Sequence, residues 1–329
     1  MNPDPVAPPR RLFWVRYVLV ALLLLLLAIP VTRLGFEWRR RQRALEYLES
    51  IGAVKKPWCD DTLLDHIRYD WFRAWQLTAV DCTGPKIDDR AAAALSEFPE
   101  ITRLELKDAT VMDAGFLRLS NLTRLQNLWL TRVSVGDKGL QVLRFMPELD
   151  GVVLEATQAG DATVQVLATR PKLKTLHFKN SNVSNIRPLA ACPTLEWLVV
   201  MDSPVNDAGI SMTTGFPRLE SLVLNHVEIS DAGLKSLRHL PRLRNLSLQH
   251  SPVTDAGLSH LASCTHLRSL YLKHTQVTDA GLPELAKLLD LESLELSGTK
   301  VTPAGRKHLK PLVRATDIVI DEPRAKVGD

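Results

Sequence analysis

The sequence predicts an α/β solenoid, a ladder of parallel strands backed by short helices, behind one membrane-spanning helix. Three observations predict it. A period of 24 residues runs in register from Leu77 to Arg314. A leucine triplet spaced L-x-x-L-x-L opens the period, as in Leu243, Leu246 and Leu248. From Leu12 to Val31 every residue except Arg16 is apolar, small or aromatic.

The period divides 77–314 into ten units, nine of 24 residues and one of 22. Two neighbours show it: LRNLSLQHSPVTDAGLSHLASCTH (243–266) and LRSLYLKHTQVTDAGLPELAKLLD (267–290). Self-similarity at fixed register marks a solenoid whose units stack to bury one continuous core. The second and third leucines alternate with polar residues, so they sit on the buried face of a short strand. Ten units then set ten strands side by side, ~4.8 Å apart. A valine or isoleucine follows at Ile87, Val111, Val135, Val183, Val205, Ile229, Val253, Val277 and Val301, adding another core rung. The phrase T/S-D-A-G-L comes next, as at Thr254–Leu258 and Thr278–Leu282. Its Ser/Thr-Asp pair reads as a helix N-cap. Leu234, Leu237 and Leu240 then recur at helical spacing, and prolines such as Pro147, Pro171 and Pro241 end the helix before the next strand.

These units resemble leucine-rich repeats of the T-D-A-G-L kind, similar to the cysteine-containing and ribonuclease-inhibitor-like class and to membrane-anchored bacterial proteins that carry it. Cys192 and Cys264 each stand three residues before a first strand leucine, where that class places its cysteine. The resemblance implies an arc with parallel strands on the concave face and helices on the convex face, and little about chemistry. No F-box precedes the repeats, so a ubiquitin-ligase role does not carry over. Two units depart from the pattern. Leu173–Thr194 reads V-S-N-I-R-P-L-A, resembles the 22-residue internalin-type repeat, and is expected to turn with a shorter, 3₁₀-like segment. Leu149–Lys172 has Asp161-Ala162-Thr163 in place of D-A-G and Ala159 in place of valine, and is expected to be the least regular.

The ends of the array need covers. Residues 58–76 carry Leu63, Leu64, Ile67, Trp71, Phe72 and Trp75 at roughly helical spacing and read as an N-terminal cap. Ile318 and Ile320 continue the strand pattern into a C-terminal cap strand within 315–329, which ends in a polar tail. Residues 1–11 read as a polar tail, 12–31 as a transmembrane helix, and 32–57 as a basic juxtamembrane stalk. Twenty helical residues span about 30 Å, the thickness of a bilayer's hydrocarbon core. Ala28-Ile29-Pro30 puts proline where signal cleavage wants a small residue, so a retained single-pass anchor is expected. Five arginines follow the span, against three at its leading end (Arg10, Arg11 and, just inside it, Arg16), which predicts a cell-membrane protein with its repeats facing the cytoplasm.

Charge and cysteines exclude other classes. Of the chain's net +4, residues 1–43 hold +6, leaving the rest at −2, too acidic for a nucleic-acid binder. The four cysteines, Cys59, Cys82, Cys192 and Cys264, form no CxxC pair, against a zinc site or a disulfide-stapled fold.

On the outward side of the strands, one column reads Asp81, Glu105, Trp129, Val153, His177, Val199, Val223, Ser247, Tyr271 and Glu295. Trp197 and Met201 flank it. Trp129, Val153, His177, Trp197, Val199, Met201, Val223 and Tyr271 are the candidate surface for an unknown protein partner, because exposed aromatics and Met on a rigid face favour interfaces. Strand propensity alone would also place such residues there. His226, His250 and His274 share one position in successive units, with Asp202 one unit earlier, and are candidate ligands for a cation such as zinc. Duplication of a polar edge residue accounts for the same ladder. No Ser-His-Asp order, P-loop or nucleotide fingerprint occurs, so no enzyme activity and no cofactor are expected. The leading expectation is a membrane-anchored recognition scaffold. The alternatives are a metal-binding protein or hydrolase using the histidine ladder, and a structural envelope protein.

Overall fold

The structure, a computed structural model, describes residues 35–53, 77–211, 215–312 and 314–321. Eleven strands form one sheet in strict sequence order. They are β1 (Ala79–Thr83), β2 (Arg103–Lys107), β3 (Asn127–Thr131), β4 (Gly151–Glu155), β5 (Thr175–Lys179), β6 (Trp197–Met201), β7 (Ser221–Asn225), β8 (Asn245–Ser247), β9 (Ser269–Tyr271), β10 (Ser293–Glu295) and β11 (Asp317–Val319). Each pairs with the next in parallel, and the register follows the sequence period: Leu222 lies beside Leu246, Leu246 beside Leu270 and Leu270 beside Leu294. The inward leucines are sealed, with Leu246, Leu248 and Leu270 at 0% exposure. The following valine rung is buried from Ile87 to Val301. Short α- and 3₁₀-helices connect the strands across the other side of that core.

The T-D-A-G phrase is the fastener between coils. In the units of Ser230, Thr254 and Thr278 the Ser/Thr does two jobs. Thr254, for one, accepts from the N–H of Ala256 to cap its own helix, and donates its hydroxyl to Asp231 of the preceding unit at 2.6 Å. Asp231 also accepts the N–H of Thr254 at 2.8 Å. Ser230, Thr278 and Thr302 bind Asp207, Asp255 and Asp279 in the same way. The aspartate expected to share the cap instead reaches the next coil. It also dictates the glycine: a Cβ at Gly257 would collide with the carboxylate of Asp231.

The irregular units obey the same logic. In Leu149–Lys172 the cap position is Gly160, which has no hydroxyl, and Thr163 stands at the glycine position. Thr163 is wholly buried and donates both its hydroxyl (2.5 Å) and its N–H (3.0 Å) to Asp137. The hydroxyl has moved three residues along and reaches the same acceptor. This unit, expected to be the least regular, keeps a five-residue strand and a seven-residue helix, Asp161–Leu167. The 22-residue unit does turn through a 3₁₀ segment, Arg187–Ala191, and the Asn185 side chain just ahead of it accepts from Arg187 N–H. The ladder has ends as well. Asp88, not Ser or Thr, caps the first unit's helix, and Pro303 stands where the tenth unit would carry its aspartate.

Where a stalk was expected, residues 35–50 form a helix docked on the first unit. Ala44, Leu45 and Leu48 share its inner face and are buried with Ala53 in the common core. Arg40 and Arg41, two of the cations that made 32–57 read as a basic stalk, pair with Glu97 at 2.5 Å and Glu100 at 3.1 Å. Arg90 stacks over the Tyr47 ring at 4.2 Å. The exposed end of a solenoid core attracts whatever apolar face is nearest, and this helix supplies one. The expected cap at 58–76 and span at 12–31 lie outside the described residues. Among the described residues no helix is long and apolar enough to cross a membrane.

Candidate functional site

Strand register sets the outward residues in columns. Trp129, Val153, His177, Val199 and Val223 stand side by side on β3 to β7. Trp197 and Met201 lie on the same face of β6, either side of Val199, because side chains alternate along a strand. The structure therefore brings seven of the eight candidate surface residues together. Trp197 is 53% exposed, while the others are half-buried. Tyr271 stands apart: Ser247, between it and Val223 in the column, is buried and donates to Asn225 Oδ1 at 2.7 Å. Trp129 is also not bare. The Arg103 guanidinium lies 4.2 Å over its ring, held there by Glu105 at 3.1 Å. Lys179 and Glu155, paired at 2.7 Å, border the patch on its other side.

His177 is the polar centre of this apolar face. Desolvation by burial lowers its pKa, favouring the neutral ring near pH 7. Its Nε2 is buried without a hydrogen-bond partner. A buried polar atom left unpaired costs free energy that a ligand group can recover.

The histidine ladder has a backbone explanation. His226, His250 and His274 have φ of 52°, 57° and 56°, the left-handed region. They belong to a column at the strand exits that runs Gly84, Asp108, Arg132, Ala156, Asn180, Asp202, His226, His250, His274, Gly298, and every member has positive φ. Asn, Asp and His are enriched in that conformation and glycine adopts it freely, so the column selects these residue types. His226 and His250 stack with centroids 4.0 Å apart, and His274 follows 4.4 Å on with its ring tilted by 35°. Nitrogen lone pairs lie in the ring planes, so stacked rings direct them side by side and not at one point. Asp202 Oδ1 lies 4.0 Å from His226 Nδ1. Among the described residues no group of three or more His, Cys, Asp or Glu is arranged to hold a metal ion. Sequence reasoning missed this column, although Asp, Asn, His and Gly at one register position are its signal.

Cys82 and Cys264 are buried, and desolvation pushes their thiols to about 12 and about 11. They are packing groups and not nucleophiles.

A family model described as "Leucine Rich repeat" matches residues 263–286. No curated protein is similar enough to count as a match. Among solved structures, an internalin (inlF) from Listeria monocytogenes str. 4b F2365 is similar over 86% of this chain and 95% of its own, at 18% identity and TM-score 0.51. At that identity the likeness is one of fold. A TDR receptor (14% identity, TM-score 0.47) and the mouse RP105/MD-1 complex (18%, 0.48) are also similar, over 69% and 66% of this chain but only 39% and 41% of theirs. The eleven-stranded parallel sheet with its backing helices is that of a leucine-rich repeat solenoid.

Proposed function

We propose that this protein is a membrane-anchored, non-enzymatic recognition scaffold that binds a protein partner on the open face of β3–β7, the concave face in a solenoid of this kind. The observation that carries the reading is Trp197, half exposed on a rigid sheet beside Val199, Met201 and Val223. Binding energy concentrates on such aromatic anchors, and a framework of paired strands holds them without ordering cost. The residues that carry chemistry elsewhere in proteins are largely occupied with fastening here: the aspartates, serines and threonines of T-D-A-G bind one another from coil to coil. The span 12–31 supplies the anchor, and the excess of arginines after it favours repeats on the cytoplasmic side.

The test is affinity capture from the native membrane and cell extract with wild type and with Trp197→Ala/Met201→Ala. Proteins retained by the wild type are expected to be lost with the variant and kept by Asn245→Ala, outside the patch. Recovery of the same proteins by all three would remove the interface. A cytoplasm-active reporter joined after Asp329 tests the orientation: activity supports it, and silence with an active periplasmic reporter reverses it.

A further inference from the structure

Two columns of residues stand just ahead of the strands, where charge signs are matched between coils. Glu148 and Asp150, either side of one unit boundary, meet Lys172 and Lys174, either side of the next, at 2.5 and 3.1 Å. Arg314 meets Asp290 at 2.6 Å near the other end. Opposite charges on neighbouring strands stabilise a sheet and like charges destabilise it. Between the units beginning at Leu243 and Leu267 the matching fails. Arg242 and Arg244 are followed, one coil on, by His266 and Arg268, and the N–H of Arg268 donates to the carbonyl of Arg244 at 2.7 Å. The nearest carboxylates lie on the outer sides of the pair: Glu220 is 3.6 Å from Arg244, and Glu292 is 3.6 Å from Arg268. Both distances exceed a made hydrogen bond. Among the described residues the carboxylates paired with Arg244 and Arg268 are these outer two.

Arg242, Arg244, His266 and Arg268, with Glu220 and Asp290 at the rim, line a depression of about 280 Å³. Three arginines against two carboxylates leave its lining one net positive charge, with His266 3.8 Å from Asp290 at the rim. We infer that this depression binds a phosphate group. A guanidinium presents a planar fork of donors that fits phosphate oxygens two at a time. Two forks from adjacent coils hold a tetrahedral anion from two sides, whereas a single carboxylate is filled by one fork. The phosphate comes either free in solution or on a lipid headgroup. The site is independent of the protein interface proposed above.

The full-length protein, purified in detergent, is titrated with inorganic phosphate at constant ionic strength, following ³¹P NMR and the melting temperature. Vesicles of phosphatidylglycerol and of phosphatidylcholine form the second arm. Their difference is the readout, because residues 12–31 are common to every variant. Saturable phosphate binding is expected, weakened about tenfold or more by Arg244→Gln/Arg268→Gln and unchanged by Arg124→Gln, an arginine of the Arg242 column five units away. Preference for phosphatidylglycerol that depends on Arg244 and Arg268, without a response to inorganic phosphate, assigns the group to a lipid. Unliganded Arg244→Gln/Arg268→Gln is expected to melt no lower than wild type, since like charges have been removed, so lost binding is separable from lost folding. A response that is absent, unsaturable, or equal in wild type and variant with both probes overturns the site.

Discussion

The exchange of a hydroxyl between Gly160 and Thr163 can be transplanted. In the unit beginning at Leu267 the arrangement is the usual one, with Thr278 at the cap and Gly281 three residues on. Thr278→Gly removes a charge-assisted bond to Asp255 Oδ2 (2.6 Å) and the cap bond from Ala280 N–H (3.2 Å). Hydrogen bonds to charged groups contribute about 1.5–3 kcal/mol, and a Thr-to-Gly cap change a few tenths. Because the site is half-buried, about 2 kcal/mol is expected. Gly281→Thr alone drives a new Cβ into the Asp255 carboxylate and to 2.8 Å from Leu258 Cδ1. Thr278 pins that carboxylate with two bonds, so it cannot move aside, and overpacking of this kind costs about 1–3 kcal/mol. The double variant frees one carboxylate oxygen and supplies the hydroxyl from the new position, as Thr163 does for Asp137. Its cost is expected to fall below the sum of the two by at least about 1.5 kcal/mol. Urea unfolding of all four proteins, with equal m-values as the check on cooperativity, measures this coupling. Costs that add to within about 0.5 kcal/mol would refute the exchange and leave Thr163 a merely tolerated neighbour.

Leu246→Ala is expected to cost about 2–5 kcal/mol, because the side chain is fully buried in a rung continuous with Leu222 and Leu270; less than about 1 kcal/mol in the same assay contradicts that packing. His250 is held below the usual imidazole range by desolvation, then by His226, His274 and Lys273, with Asp202 pulling the other way. The unfolded chain therefore takes up this proton first as pH falls. Native stability is full above about pH 6.5 and declines below it until the folded group protonates too. His250→Asn, which suits the left-handed backbone, is expected to flatten the acid side of a melting-temperature profile. An acid side left unchanged would mean the stacked rings are not coupled.

Much of the fold was legible in the sequence because a period of 24 residues repeats its burial pattern ten times. Leu246, Val253 and Leu258 each signal their place by apolarity alone, and the register of β1–β10 follows. What was not legible depended on contacts across the period. That Asp231 serves Thr254, and not its own helix, needs knowledge of which coil lies above which. The helix at 35–50 was read as a stalk because five arginines between 33 and 43 dominate its composition. Its inner face, Ala44, Leu45 and Leu48, is short, and the pairing of Arg40 and Arg41 with Glu97 and Glu100 on the first unit is a contact across 57 and 59 residues of sequence. In the candidate site the column from Trp129 to Val223 follows from alternation within strands. The Arg103 cover on Trp129 and the break at Ser247 are side-chain choices that spacing does not encode.

The fastener between coils has a direction. Over the last five units a carboxylate reaches forward and the next unit's hydroxyl reaches back to it, so joining two of them is a head-to-tail act. The first joints are made by backbone donors instead, as the Met112 and Gly136 N–H groups do to Asp89 and Asp113. The first unit begins with Asp88, whose carboxylate receives from its own helix and from the Tyr47 hydroxyl, and which has no hydroxyl of its own to reach back with. The tenth places Pro303 where a forward acceptor would stand. An internal unit such as 243–266 can be copied or lost with both of its joints intact, while a unit moved past Pro303 would find no carboxylate to receive its hydroxyl. The array is thus a sentence with an opening letter and a full stop, free to lengthen only between them.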